Sequence, residues 1–272
     1  MSSPIRLAIT HVTTYSYDQP VHYALQQLRL VPRSGHGQTV LDWSSTITGG
    51  TKQASFSDQF VNHTELVKVD AGATRIEIRS EGTVEVEDNH GIIGTHKGFA
   101  PLWLFENPTP TTSPGPAIRT LARQLRAEQD GADTLAQLHA LSAMILSQVS
   151  YETGRTNSDT TAESALTSGH GVCQDHAHIM IAAARLLGHP ARYISGYLMM
   201  NDRVDQDASH AWCEVWTEAL GWVGFDVSNG ISPDARYVRV ATGRDYRDAA
   251  PIMGIRQGPG DEHLQVSLQV QQ

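Results

Sequence analysis

Apolar and polar residues alternate with period two through much of residues 1–105. Ile5, Leu7 and Ile9 are separated by polar or small positions, Leu28 and Leu30 flank Arg29, and Ile76 and Ile78 alternate with Arg75, Glu77 and Arg79. Val84 and Val86 repeat the pattern with Glu85 and Glu87. Such alternation marks sheets with one face buried and the other in water. Gly35-His36-Gly37, Gly49-Gly50 and Ala71-Gly72-Ala73 supply the turns. The expectation is a β-rich N-terminal domain over 1–105, either an antiparallel sandwich or an open antiparallel sheet.

The pattern breaks at Asn107-Pro108-Thr109-Pro110-Thr111-Thr112-Ser113-Pro114-Gly115-Pro116, so 106–116 reads as a proline-rich linker. Helical spacing follows directly. Ile118, Leu121, Ala122 and Leu125 form one stripe, and Leu135, Leu138, Leu141, Ile145, Leu146 and Val149 form another. Thr134 with Gln137, and Thr160 with Glu163, match the capping-box spacing at two helix starts. A third apolar helix runs from His176 to Gly188, closed by Gly188 and Pro190. Strands are then expected at 191–200, at Ser209–Trp216 with Trp222–Val227 as a hairpin, and near 237–241 and 264–270. Helices followed by an antiparallel sheet make the second domain, 117–272, α+β.

Charge and cysteine content narrow the options. The net charge of −9 gives no basic footprint for nucleic acid or an anionic membrane, so neither is an expected partner. No apolar run reaches transmembrane length, and the opening Met1-Ser2-Ser3-Pro4 shows no signal-peptide core, which leads to a cytoplasmic expectation. Cys173 and Cys213 are the two cysteines, too few for a disulfide framework and compatible with a reducing compartment.

Cys173 carries the candidate chemistry. It follows the tight loop Gly169-His170-Gly171 and should sit in the first turn of the apolar helix. Unpaired N–H groups and the helix dipole favour an anion there, and the thiolate is the nucleophilic form. Counting outward from the hairpin loop sets His210 opposite Asp226 or within about two residues of it. An aspartate holding one imidazole nitrogen would turn the other toward the thiol, the logic of a nucleophile–base–orienter triad. Trp212 shares the face of His210 and would shield it from water. Alternation sends Cys213 to the opposite face, as a small buried hydrophobe. Asp175 sits where a carboxylate interacts with the helix N-terminus but opposes thiol ionisation. A zinc reading through Cys173, His176, His178 and His210 fails on spacing, since His178 lies about 160° round the helix from His176.

These motifs resemble the transglutaminase-like superfamily of papain-like thiol enzymes. Gly-Val-Cys-Gln-Asp-His-Ala-His, Gly-His-Pro-Ala-Arg-Tyr-Ile-Ser-Gly-Tyr, Ser-His-Ala-Trp and Gly-Trp-Val-Gly-Phe-Asp are similar to the bacterial transglutaminase-like proteins described as cysteine proteases. His11-Val12-Thr13-Thr14-Tyr15-Ser16-Tyr17 and Leu28-Arg29-Leu30-Val31-Pro32-Arg33 resemble their β-rich N-terminal region, and Gly243-Arg244-Asp245-Tyr246 fits their tail. The resemblance implies a papain-like catalytic domain over 117–272, with Cys173 as nucleophile, His210 as base and Asp226 as orienter. It further implies a peptide or protein substrate and amide hydrolysis through an acyl thioester. Transfer to an amine, as in a protein-glutamine transglutaminase, is the alternative, and a non-catalytic peptide-binding module is the competing class. Nothing in the sequence calls for a cofactor or a metal, and no acidic calcium loop of EF-hand type occurs.

Overall fold

The alternation of the first half folds into two antiparallel sheets packed face to face. In the computed structural model, which describes residues 3–272, strands β1 (Ile5–Tyr17), β2 (Tyr23–Val31), β3 (Gln38–Thr48), β4 (Gly50–Ser57), β5 (His63–Val69), β6 (Arg75–Val86) and β7 (Ile92–Gly94) come first. Met1 and Ser2, which open the expected N-terminal domain, lie outside the described residues. A 3₁₀ turn at Leu102–Phe105 leads to α1 (Pro116–Glu128), α2 (Thr134–Gln148), β8 (Ser150–Tyr151), α3 (Ala162–Ser168), β9 (His170–Gly171) and α4 (Cys173–Leu186). The chain ends with β10 (Ala191–Leu198), β11 (Asp205–Gln206), β12 (His210–Thr217), β13 (Gly221–Phe225), β14 (Tyr237–Gly243), α5 (Tyr246–Ala249), β15 (Ile252–Gln257) and β16 (Glu262–Gln271).

The sandwich consists of one sheet ordered β11-β16-β1-β6-β3 and another ordered β15-β2-β5-β4. Tyr15, Tyr17, Leu28, Val67, Ile76 and Ile78 fill its core, each on the apolar parity of its strand. The second half is α+β. A sheet ordered β14-β10-β12-β13-β7 carries the helices on one face, with Leu121, Leu141, Ile181, Cys213, Val223 and Phe225 in a common core. Near-complete burial of α4 between the sheet and α1–α3 explains why it is apolar almost all round. A further cluster, including Leu7, Val84, Tyr197, Val238 and Leu268, joins β1, β6 and β16 to β10 and β14.

Strand pairing crosses the boundaries expected from sequence. The span 117–272 is not self-contained: β16 runs along β1 from Ala8↔Gln271 to Tyr17↔Glu262, and β15 pairs with β2. In the other direction β7 extends the second-half sheet through β13. The reason is hydrogen bonding. β1 has two edges, and β6 satisfies only one of them. At the β7 junction a Cβ on Gly221 would lie 2.2 Å from the Gly94 carbonyl oxygen, and Gly221 has φ +75°, so the hairpin turn requires glycine.

Segment 106–116 is a packed strap rather than a flexible linker. Thr109, Thr111 and Thr112 are buried, Thr111 donates to Asp245 at 2.9 Å, and Arg185 donates to Thr112 at 2.8 Å. The capping pairs also differ from expectation. Asp133, not Thr134, caps α2 by accepting from Ala136 N–H at 2.9 Å, while Gln137 turns back to the carbonyls of Gln129 and Ala132. Thr161 caps α3, and Glu163 is spent on another helix: it accepts from the N–H groups of Gly115, Ala117 and Ile118 at the start of α1. Among the described residues no helix is long and apolar enough to cross a membrane.

Three orphan donors on one carboxylate make Glu163 the costliest cap to lose. Glu163→Ala should lower unfolding free energy by about 1–2 kcal/mol, whereas Thr134→Ala should be close to neutral. Urea denaturation of the two variants against the parent protein checks this.

Candidate active site

Helix α4 begins at Cys173 because the loop before it is held from both sides. Gly169 ends α3 in the left-handed conformation at φ +73°. His170 and Gly171 then pair in parallel with Ser150 and Tyr151, through Ser150 N–H to Gly169 O and Glu152 N–H to Gly171 O, each 2.9 Å. Asp175 closes the first turn by accepting from Val172 N–H at 2.8 Å and from the Thr156 hydroxyl at 2.7 Å. The first intrahelical bond is His176 N–H to Val172 O, so the N–H groups of Cys173 and Gln174 have no acceptor one turn back. Cys173 is partly exposed at this end, and both cysteines are free thiols.

His210 opens β12, and Asp226 follows the last residue of β13. The hairpin register pairs Cys213 with Phe225, which carries on to set Asp226 level with Trp212, a diagonal neighbour of His210. His210 Nε2 donates to Asp226 Oδ2 at 2.6 Å, and the pair is almost fully buried. With Nε2 engaged, Nδ1 is the nitrogen left to face Cys173, which lies near enough to help raise the imidazole. The structure therefore brings Cys173, His210 and Asp226 together. Trp212 stacks on the imidazole at 6.2 Å with 28° between planes, as its shared parity implies.

Asp226 is an acceptor hub. Oδ2 also takes the Tyr237 hydroxyl and Asn229 Nδ2, both at 2.7 Å, and Oδ1 takes Asn229 N–H at 3.2 Å. Burial pushes Asp226 up, but the hydrogen bonds and the charge of His210 hold it below the usual carboxylate range. On His210 burial opposes charge, yet Asp226 and Cys173 together raise it to about 10. Burial and the neighbouring Asp226 charge raise Tyr237, so it remains a donor. An imidazole raised to about 10 is protonated at neutral pH and sits beside the start of the helix that carries Cys173.

Cys213 faces away from His210, as expected, but the helix lies on its side of the sheet. Ala211, Cys213 and Val215 pack into the helical core, while Trp212 joins Ile194, Leu198 and Tyr237 on the reverse face. His210 meets Cys173 because it is the first residue of its strand, where the end of α4 is within reach. His176 and His178 have structural partners. His176 Nε2 donates to the Val149 carbonyl at 3.0 Å and Nδ1 accepts from Ser228 at 2.8 Å, while His178 Nε2 accepts from Tyr246 N–H at 3.1 Å. His176 thereby ties α4 to the turn carrying Asp226. Burial raises Asp175, against the hydrogen bonds from Val172 N–H and Thr156 that favour its charged form.

Tyr151, Asn229 and Tyr237 belong to the site, yet their sequence signals were weak. Tyr151 reaches Cys173 through the two-residue parallel pair. Burial, and after it the nearby Cys173, push the phenol up to about 12. Asn229, three residues after Asp226, fits an Asx turn and was legible only as a turn residue. Tyr237 arrives from β14, which no local spacing links to the hairpin.

Residues 119–227 match the family model "Transglutaminase-like superfamily", and residues 7–85 match "Bacterial transglutaminase-like N-terminal region". An uncharacterized protein of Mycobacterium tuberculosis is 30% identical over 280 residues, covering 94% of this chain and 88% of its relative. The chain is similar over 133 residues, at 29% identity, to a protein-glutamine gamma-glutamyltransferase of Pseudomonas aeruginosa, a match that takes in 44% of this chain and 19% of that protein. A crystal structure from Cytophaga hutchinsonii, described as a "Putative Cysteine Protease", superposes with TM-score 0.76 over 99% of both chains at 22% identity, which establishes a common fold.

The raised His210 fixes a sign for pH dependence. Its contribution to stability is complete below the unfolded value of 6.5 and is lost as pH rises through about 10. The protein should therefore lose more unfolding free energy across that window than His210→Gln does. Denaturant titrations at several pH values would show the difference, and parallel slopes would contradict it.

Proposed function

The chain belongs to the transglutaminase-like superfamily, and on that premise we propose that it is a thiol-dependent acyl-transfer enzyme that hydrolyses amide bonds in peptides. The single observation that carries this reading is the His210 Nε2–Asp226 Oδ2 bond of 2.6 Å, which leaves the other ring nitrogen for Cys173. In the reaction the Cys173 thiolate attacks the carbonyl carbon of the substrate amide. Negative charge develops on the carbonyl oxygen at the start of α4, where the Cys173 and Gln174 N–H groups lack helical acceptors. His210, protonated, gives its proton to the departing nitrogen as the C–N bond breaks, leaving an acyl thioester on Cys173. Water then attacks the thioester carbonyl while His210 takes a water proton. The carbon–sulfur bond breaks, the acid leaves, and the thiolate–imidazolium pair is restored.

A second reading replaces water by an amine. It is favoured by the match of 44% of this chain to the Pseudomonas enzyme, whose name describes glutamyl transfer. Both readings share every step up to the thioester, so the acceptor alone separates them.

Mass spectrometry of a peptide pool incubated with the protein, with and without cadaverine, is the deciding experiment. Shortened peptides are expected, and glutamine carrying cadaverine would assign transfer instead. Cys173→Ala should abolish either product, and His210→Ala should lower kcat/KM by about 10²–10⁴-fold. Neither product, together with a Cys173 that iodoacetamide alkylates no faster than free cysteine at acidic pH, would overturn the enzymatic reading in favour of a peptide-binding module.

A further inference from the structure

On the face of the second-half sheet away from the helices, a cavity of about 490 Å³ opens where both halves of the chain meet. Arg33, His36, Lys97, Arg192 and Arg239 line it, and no carboxylate does. Behind the wall the buried Glu214 binds Arg192 at 2.6 Å and Arg239 at 2.7 Å, leaving four cationic side chains against one carboxylate. This concentration occurs in a chain of net charge −9. Arg192 is held rigidly, with its guanidinium 4.0 Å above the Trp222 ring. Arg33 hydrogen-bonds to the backbone carbonyl of Val61.

The walls are built, at a conformational cost. Three non-glycine residues among those described have positive φ, and two of them, His36 at 57° and Val61 at 67°, line this cavity. A β-branched residue is rare in that region and persists only where its surroundings enforce it. Here Asp58 accepts from the N–H groups of Phe60 and Asn62, each at 2.9 Å, and is itself paired with Arg29. Two buried side-chain amides then clamp both loops to the edge strand β14. Gln38 exchanges hydrogen bonds with the Arg239 backbone at 2.8 and 2.9 Å, and Asn62 does so with Thr242 at 2.8 and 2.7 Å.

We propose that this cavity is a binding site for a small organic polyanion, recognised by the Arg33, Lys97, Arg192 and Arg239 side chains and separate from the Cys173 site. Guanidinium forks bind carboxylate and phosphate oxygens alike, so the shared chemistry is a compact molecule carrying two or more anionic oxygens. The volume falls within the range of small-molecule pockets. Phe60 and the exposed Phe99 add apolar wall for an organic body. Electrostatic attraction of this kind weakens as salt rises.

Isothermal titration of the Cys173→Ala protein with citrate and with pyrophosphate tests the site without any need for activity. The expected result is one-to-one binding of at least one probe, weakened by salt, with the preferred probe separating a carboxylate ligand from a phosphate one. Arg33→Gln/Lys97→Gln, which leaves the buried Glu214 network intact, should weaken that binding at least about tenfold, since each removes a charge-assisted hydrogen bond to the anion. No saturable binding with Kd below about 1 mM for either probe would overturn the proposal. So would binding that the double variant leaves unchanged.

Discussion

A buried carboxylate is the constraint on which the site rests. Asp226 is fully shielded from solvent, and a charge so placed is tolerated only when donors surround it. Its donors come from three directions: His210 at the head of β12, Tyr237 at the head of β14, and Asn229 in the turn that follows β13. Satisfying Asp226 therefore fixes the imidazole plane and the end of the sheet together. The same turn is tied to α4 by Ser228 and His176, so the nucleophile helix and the orienting carboxylate share one rigid frame. In the proposed reaction this matters because geometry held before substrate arrives needs no reorganisation during it.

The two halves of the molecule are interleaved rather than linked. β16 and β15 complete the sandwich, β7 completes the second-half sheet, and the strap at 106–116 is pinned by Arg185 and Asp245. Edge strand β14 shows how far this goes. Its outward backbone groups at Arg239 and Thr242 are paired with the side-chain amides of Gln38 and Asn62 instead of with another strand. A sheet edge covered in this way cannot recruit a further strand there, and the loops that cover it form the walls of the cationic cavity. Separating the halves would expose the apolar cluster around Leu7, Tyr197, Val238 and Leu268 along with these polar groups.

How much was legible in the sequence follows from the range of the interactions involved. Period-two alternation located β1, β2 and β6, and the α1 stripe and most of the α2 stripe face the core, because those signals depend on one face meeting one core. Leu146, expected on the α2 stripe, is nevertheless exposed, and Val149 follows the helix as its C-cap. The hairpin register was readable to within two residues, which sufficed to join His210 with Asp226 because a diagonal contact lies in reach of both side chains. Long-range partners were not readable. Glu163 matched a capping box for its own helix but caps α1, since three orphan donors there outcompete one local N–H. Tyr151 and Tyr237 reach the site from strands whose pairing no local pattern specifies. The parity of β12 gave the correct faces for Trp212 and Cys213, but parity alone does not say which face a helix will cover.

What becomes of an acyl thioester at this site depends on what approaches Cys173 from its open side. The helical core closes one side of the thiol, and the imidazole with its Trp212 shield closes another. Tyr151, half exposed, is the neighbour of Cys173 on the loop side. In the proposed cycle the substrate acyl group and then the acceptor approach Cys173 beside that phenol. Water meets this requirement with little steric demand, whereas an amine must bring its carbon chain past the phenol. On the proposed reading hydrolysis makes the smaller steric demand, and the placement of Tyr151 beside Cys173, rather than the triad itself, becomes the feature on which the choice of acceptor turns.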